Sequence, residues 1–214
     1  MSKKLDNIAI WGVLIVVAGI GTLTYLSHLS AQKHIGEWTA TSPIRFLSKA
    51  QQHLNEHEPY ECVENIQKAI KIVKSIEYYG DNNVNKYLEK SINDLNKIVD
   101  EIEEDHISTT DVNMALFEAL NAVAYAELMI SEHDLENNDH HKAIFLLKTT
   151  LSALEKSTRY IQAKDELKEE KLISEVKSAI DYLDSPNQTS HYDFTKINEE
   201  IEELLKDAYL KQSL

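Results

Sequence analysis

The 214 residues include 36 acidic and 22 basic side chains, a net charge of −14, and a surface of that sign repels nucleic-acid phosphates and anionic lipid headgroups. Nucleic acid is therefore not an expected partner. With 43% hydrophobic and 27% charged residues the chain is composed as a folded protein, and its one cysteine, Cys62, excludes an intrachain disulfide. Three of the five glycines fall at Gly12, Gly19 and Gly21. Only Gly36 and Gly80 remain for everything else, so there is no P-loop and no GxGxxG fingerprint, and enzymes that cradle phosphate in such loops are excluded.

No charged residue occurs from Ile8 to Leu26. Carried as a helix to Leu29, the segment is about 33 Å long at 1.5 Å per residue, enough for a hydrocarbon core of about 30 Å. A single transmembrane anchor is expected, in contact with membrane lipid. The best signal-peptide cleavage point, at Ala31, has Leu29 at −3 and fits poorly. Ile8, Trp11, Gly12, Gly19 and Tyr25 are the expected anchor residues: Trp11 and Tyr25 stand near the two interfaces, and Gly12 and Gly19 share one helix face. Lys3 and Lys4 precede the span and Lys33 follows it, which favours a cytoplasmic N-terminus and an extracytoplasmic, in a bacterium periplasmic, main domain. The expected division is a tip and anchor over 1–36 and an acidic helical bundle over 37–214.

Beyond Gly36 apolar residues recur at spacings of three and four, and every element reads as helix, giving an all-α bundle of about seven helices. Pro43 and Pro59 read as helix starts, with Ile44, Leu47, Ala50 and Leu54 on one face of the first helix and Cys62, Ile66, Ala69, Ile70, Val73 and Ile76 on the second. Gly80 to Asn83 make a turn into a third helix carrying Leu88, Ile92, Leu95, Val99 and Ile102. Ser108 to Asp111 suit the cap of a fourth, which is nearly all apolar or alanine from Ala115 to Ile130 and therefore reads as central. A fifth follows Asn137 to Asp139, with Ala143, Leu147, Leu151 and Leu154, and a sixth uses Leu172, Val176, Ala179 and Leu183. The last carries Ile197, Ile201, Leu204, Leu205 and Ala208.

Lys68, Ala69 and Ile70 recur as Lys142, Ala143 and Ile144, and Ala50, Leu54, Glu56 and His57 as Ala126, Ile130, Glu132 and His133. The letters thus suggest a period of about 75 residues: two three-helix repeats over 43–106 and 110–184, followed by a C-terminal helix over 193–212. The alanine-containing hairpins Ala50 to Ile76 and Ala126 to Leu154 resemble the YfdX-type periplasmic helical domains and the tetratricopeptide-like helical repeats. The resemblance is one of pattern and implies paired helices, with no site residue carried over.

The chemistry-bearing candidates are histidines. His53 and His57 are four apart, a spacing that places both imidazoles on one face of a continuous helix, with Glu56 and Glu58 as added oxygen ligands; His133, His140 and His141 form a second cluster. The choice lies between a metal or haem site and solvated histidines at helix ends, which interact well with the last carbonyls. There is no CxxCH for covalent haem. Carboxylates such as Glu103, Glu104 and Glu199 to Glu203 interleave with lysines as a solvated face does, and no catalytic residue is assigned. The expected function is a membrane-anchored interaction module, an accessory subunit or scaffold with a protein partner or a second copy of itself. A metal- or haem-binding protein is the alternative.

Overall fold

The computed structural model describes residues 42–77, 82–106, 108–160, 163–185 and 192–212. Contacts divide the chain into two units, 1–40 and 41–214, and the described residues lie in the second. The expected anchor residues Ile8, Trp11, Gly12, Gly19 and Tyr25 lie outside the described residues, as does Gly80.

Seven α-helices and a short 3-10 turn account for the described elements, with no strand among them. They are α1 (Pro43–Asn55), α2 (Pro59–Glu77), α3 (Asn82–Glu103), α4 (Thr109–Glu136), α5 (His140–Ser157), the 3-10 turn Thr158–Tyr160, α6 (Ala163–Leu183) and α7 (Thr195–Gln212). Local chemistry sets the starts. Pro43 and Pro59 open their helices, where a missing N–H costs nothing; the Ser108 hydroxyl accepts from the Asp111 N–H, and Asp139 accepts from the Lys142 N–H.

The ends show how helices are stopped without glycine. His57, Asp105 and Asn138 each take a left-handed backbone, with φ of 59°, 61° and 61°. At each, the left-handed residue donates its N–H to the carbonyl three back and the next residue donates to the carbonyl five back: His57 to Leu54 and Glu58 to His53, Asp105 to Ile102 and His106 to Glu101, Asn138 to Leu135 and Asp139 to Asp134. This is the Schellman closure, normally built on glycine, and a side chain with a β-carbon costs about 1 kcal/mol or more there.

Each helix packs against its neighbours in sequence, and α4 also packs against α1, α2 and α7. Among the described residues α4 is the one helix long and apolar enough to cross a membrane, yet 83% of its apolar window is buried by protein. Its apolar faces are covered by other helices, as its central place requires.

Burial and capping recur at a spacing the letters did not suggest. Asn138 stands 81 residues after His57, and at that spacing the turn hydrogen bonds correspond one for one. The core positions correspond too: Leu47, Cys62, Ile66, Val73, Leu95 and Ile98 match Leu128, Ala143, Leu147, Leu154, Val176 and Ala179, all buried. The match runs on into α7, where Leu116, Leu120 and Val123 correspond to Ile197, Ile201 and Leu204. Pairing Lys68, Ala69 and Ile70 with Lys142, Ala143 and Ile144 slips this register by seven residues, about two helical turns, which returns to the same face. His57 is likewise no counterpart of His133, because His57 lies in a turn and His133 within α4.

Replacing His57 by glycine removes the β-carbon from the left-handed site, and His57→Gly is expected to stabilise the fold by about 1 kcal/mol, with a smaller gain for Asn138→Gly because asparagine tolerates that conformation. Urea unfolding followed by helical circular dichroism checks the order; a loss of stability in both would contradict it.

Candidate functional site

Two groups of polar side chains stand out: a histidine-carboxylate cluster at the end of α1, and carboxyl groups buried along α4.

At the α1 end, His53 Nδ1 lies 2.6 Å from Glu58 Oε2 and 3.8 Å from a Glu56 oxygen. One ligand atom from each of the three comes within 4.8 Å of the others, and among the described residues no second group of three such side chains does so. The Schellman turn makes this cluster. It folds Glu58 back over the last turn of α1, where His53 also meets the helix's exposed carbonyl end. His57 is not part of it. The helix stops at Asn55 and the chain turns left-handed, so the four-residue spacing no longer sets two imidazoles side by side. His133 is exposed and contacts Asn137 and Glu136, while His140 and His141 open α5; these three do not gather with acids into a comparable group.

Among the described residues three carboxyl groups are fully buried: Glu118, Glu127 and Glu169. Glu169, on α6, accepts a hydrogen bond from the Ser157 hydroxyl. Glu118, on α4, lies 3.4 Å from Lys90 Nζ, which itself sits 2.7 Å from Asp94. Burial pushes the Glu118 carboxyl up to about 8; Lys90 opposes the shift, and a hydrogen bond to Asp94 together with its charge reinforces it. At neutral pH Glu118 is therefore held mostly neutral, and Asp94 is the closer partner of Lys90. Glu127 is more isolated. Burial raises it to about 8, and neither oxygen has a hydrogen-bond partner. Thr149 acts in the opposite direction and is outweighed by burial, which keeps the acid neutral near neutral pH.

These buried acids went unassigned in the sequence because α4 reads as a continuous apolar run. The available signal was the placement of Glu118, Asn121 and Glu127 inside a helix with apolar residues on every face, where no direction leads to solvent.

The sign of the pH effect follows from the upward shift. Glu127 is neutral in the fold and ionised in the unfolded chain between its ordinary value of 4.5 and about 8, so folding takes up a proton and its contribution falls as pH rises through that window. Glu127→Gln should unfold at nearly the same urea concentration as the parent near the bottom of the window. At pH 8 it should be more stable by at least about 1 kcal/mol. A difference that does not change with pH would show that Glu127 is not held neutral.

No family model matches the chain, and no curated protein or solved structure matches it.

Proposed function

We propose that the chain is a membrane-anchored, extracytoplasmic helical interaction module, an accessory subunit or scaffold of a membrane-associated complex. The observation that carries the reading is the recurrence of buried positions and turn hydrogen bonds at 81 residues, continued into α7. Stacked helical units of this kind build one core from neighbour contacts and leave an extended outer surface, the usual architecture of proteins that work by holding others. On this reading α1 to α3 form one unit, α4 to α6 a second, and α7 begins a third. The apolar segment from Ile8 to Leu29 supplies the tether, and Lys3 and Lys4 the cytoplasmic side.

The full chain is expected to stay with membranes through an alkaline carbonate wash and to leave them only with detergent. In-membrane crosslinking followed by mass spectrometry should return either one recurrent neighbour or a second copy. Recovery of a monomer in the soluble fraction, trimmed ahead of Gln32, would overturn the tether; an intact membrane monomer with no crosslinked neighbour would overturn the interaction role.

A second reading rests on His53, Glu56 and Glu58, whose imidazole and two carboxylates are ligand types that zinc accepts. Here the protein holds a divalent cation at the end of α1, with open coordination positions. Titration with Zn²⁺ should then show one site per chain that His53→Ala removes and His57→Ala leaves intact, and equal binding by parent and His53→Ala would eliminate the site.

A further inference from the structure

The chain contains two arginines, Arg45 and Arg159, among its 22 basic residues. Both line the same cleft, an open depression of about 530 Å³ between α1 and the end of α5. Lys49 and Lys156 line it with them, and among the described residues Glu56 is the one carboxylate in the lining. Arg45, Lys49, Gln52 and Glu56 follow each other at spacings of four, three and four, a single stripe along α1 beside its buried face of Ile44, Leu47, Ala50 and Leu54. Lys156 and Arg159 supply the opposite wall from the last turn of α5 and the 3-10 turn. Glu56 is engaged along its own helix, where Oε1 accepts from Gln52 Nε2 at 2.9 Å.

Among the described residues of the lining, four cations around one carboxylate run against the character of a chain of charge −14. Elsewhere lysines find acids: Lys142 pairs with Asp134, Lys148 with Asp184, Lys168 with Glu203 and Asp207, and Lys177 with Glu155. Among the described residues no ion pair involves Lys49, Lys156 or Arg159. Burial first, and then the charge of Arg159, push the Lys156 ammonium down. At physiological salt, charges more than about 8 Å away are largely screened, and the cleft presents its local positive field whatever the sign of the whole surface.

We infer that this cleft binds a compact phosphate-bearing anion, gripped between the Arg45 and Arg159 guanidinium groups, with Lys49 and Lys156 neutralising its remaining charge. The planar guanidinium fork matches two phosphate oxygens at once, and opposed forks suit a group with oxygens on several sides. A volume of about 530 Å³ suits a small ligand, and among the described residues the lining includes no aromatic ring, so these supply no platform for a nucleobase. Phosphate bound here is held by side chains, which is why the lack of a glycine-rich loop does not forbid it. The anion comes either from a soluble phosphoester or from a lipid headgroup.

The test uses the full chain in a neutral detergent with chelator present, titrated by calorimetry with inorganic pyrophosphate and, separately, with mixed micelles containing phosphatidate. Saturable binding of pyrophosphate is expected if the source is soluble, and binding of the phosphatidate micelles alone if it is a headgroup. In either arm Arg45→Gln and Arg159→Gln should each weaken binding about tenfold or more, and Arg→Lys at either position should weaken it less. Lys86→Gln, on exposed α3 surface, makes the same change in net charge and should leave binding unchanged. All three residues are exposed, so the folded state of each variant is readily confirmed by circular dichroism. Absence of binding in both arms, or equal weakening by Lys86→Gln, would overturn the assignment.

Discussion

The burial of α4 is the constraint on which the rest of the bundle depends. A helix apolar on several faces has no stable place except inside other helices, and α4 is surrounded by α1, α2, α3, α5 and α7. Leu116, Leu120 and Leu128 are each fully buried, and at about 1.5 to 3 kcal/mol per side chain their removal from water is a large share of what a domain needs to outweigh its conformational entropy. Alanines at 115, 119, 122, 124 and 126 let neighbouring backbones approach closely, so α4 acts as a packing surface on all sides. The remaining helices need only one good stripe each. That is why their exposed faces are free to be dense with charge.

This arrangement makes the acids of α4 costly. Glu118 and Glu127 cannot reach water from a helix enclosed on every side, and burial pushes both toward the neutral acid, against Lys90 in the case of Glu118. Lys90 does not rescue Glu118 as a carboxylate, since its closer bond is to Asp94. The centre of the bundle is therefore most stable where these groups stay protonated, and an acidic protein carries in its core a preference for lower pH that its surface does not express.

Much of this fold was legible in the sequence because helix starts and faces are local matters. Pro43, Pro59 and Ser108 mark the ends they were expected to mark, and the stripes Ile44 to Leu54, Cys62 to Ile76 and Ile197 to Ala208 face the core as their spacing requires. Relations between distant segments were less legible. The letters aligned Ala69 with Ala143, yet Ala143 occupies the position of Cys62, because a slip of two turns leaves the face unchanged and only the turn hydrogen bonds reveal it. Of the histidine cluster, His53, Glu56 and Glu58 were readable because they fall within six residues of one another. That His57 leaves the group depends on a left-handed backbone adopted by a residue that is not glycine. The arginine cleft was invisible for a simpler reason: Arg45 and Arg159, 114 residues apart, line one cleft because α1 and α5 pack together.

The distribution of positive charge ties surface to site. Lys168 bridges Glu203 and Asp207, Lys171 meets Glu200 and Lys196 meets Glu175, so the α6 to α7 interface is laced by lysines whose flexible stems find acids from several directions. One such exposed pair contributes little, but a ladder of them fixes the position of α7 against α6 at small cost. Lysine suits that task because a point charge needs no particular orientation. Arginine is rigid, permanently charged and best matched to an oxyanion with two oxygens in line. In a chain with so many acids, lysines on the outer faces are absorbed by neighbouring carboxylates, whereas among the described residues Lys49, Lys156 and Arg159 take part in no ion pair, and Glu56, the one described carboxylate lining their cleft, is engaged by Gln52. An anion brought from outside therefore meets three cations that no described carboxylate pairs with, while at the lysine ladders it would have to displace a carboxylate already in place.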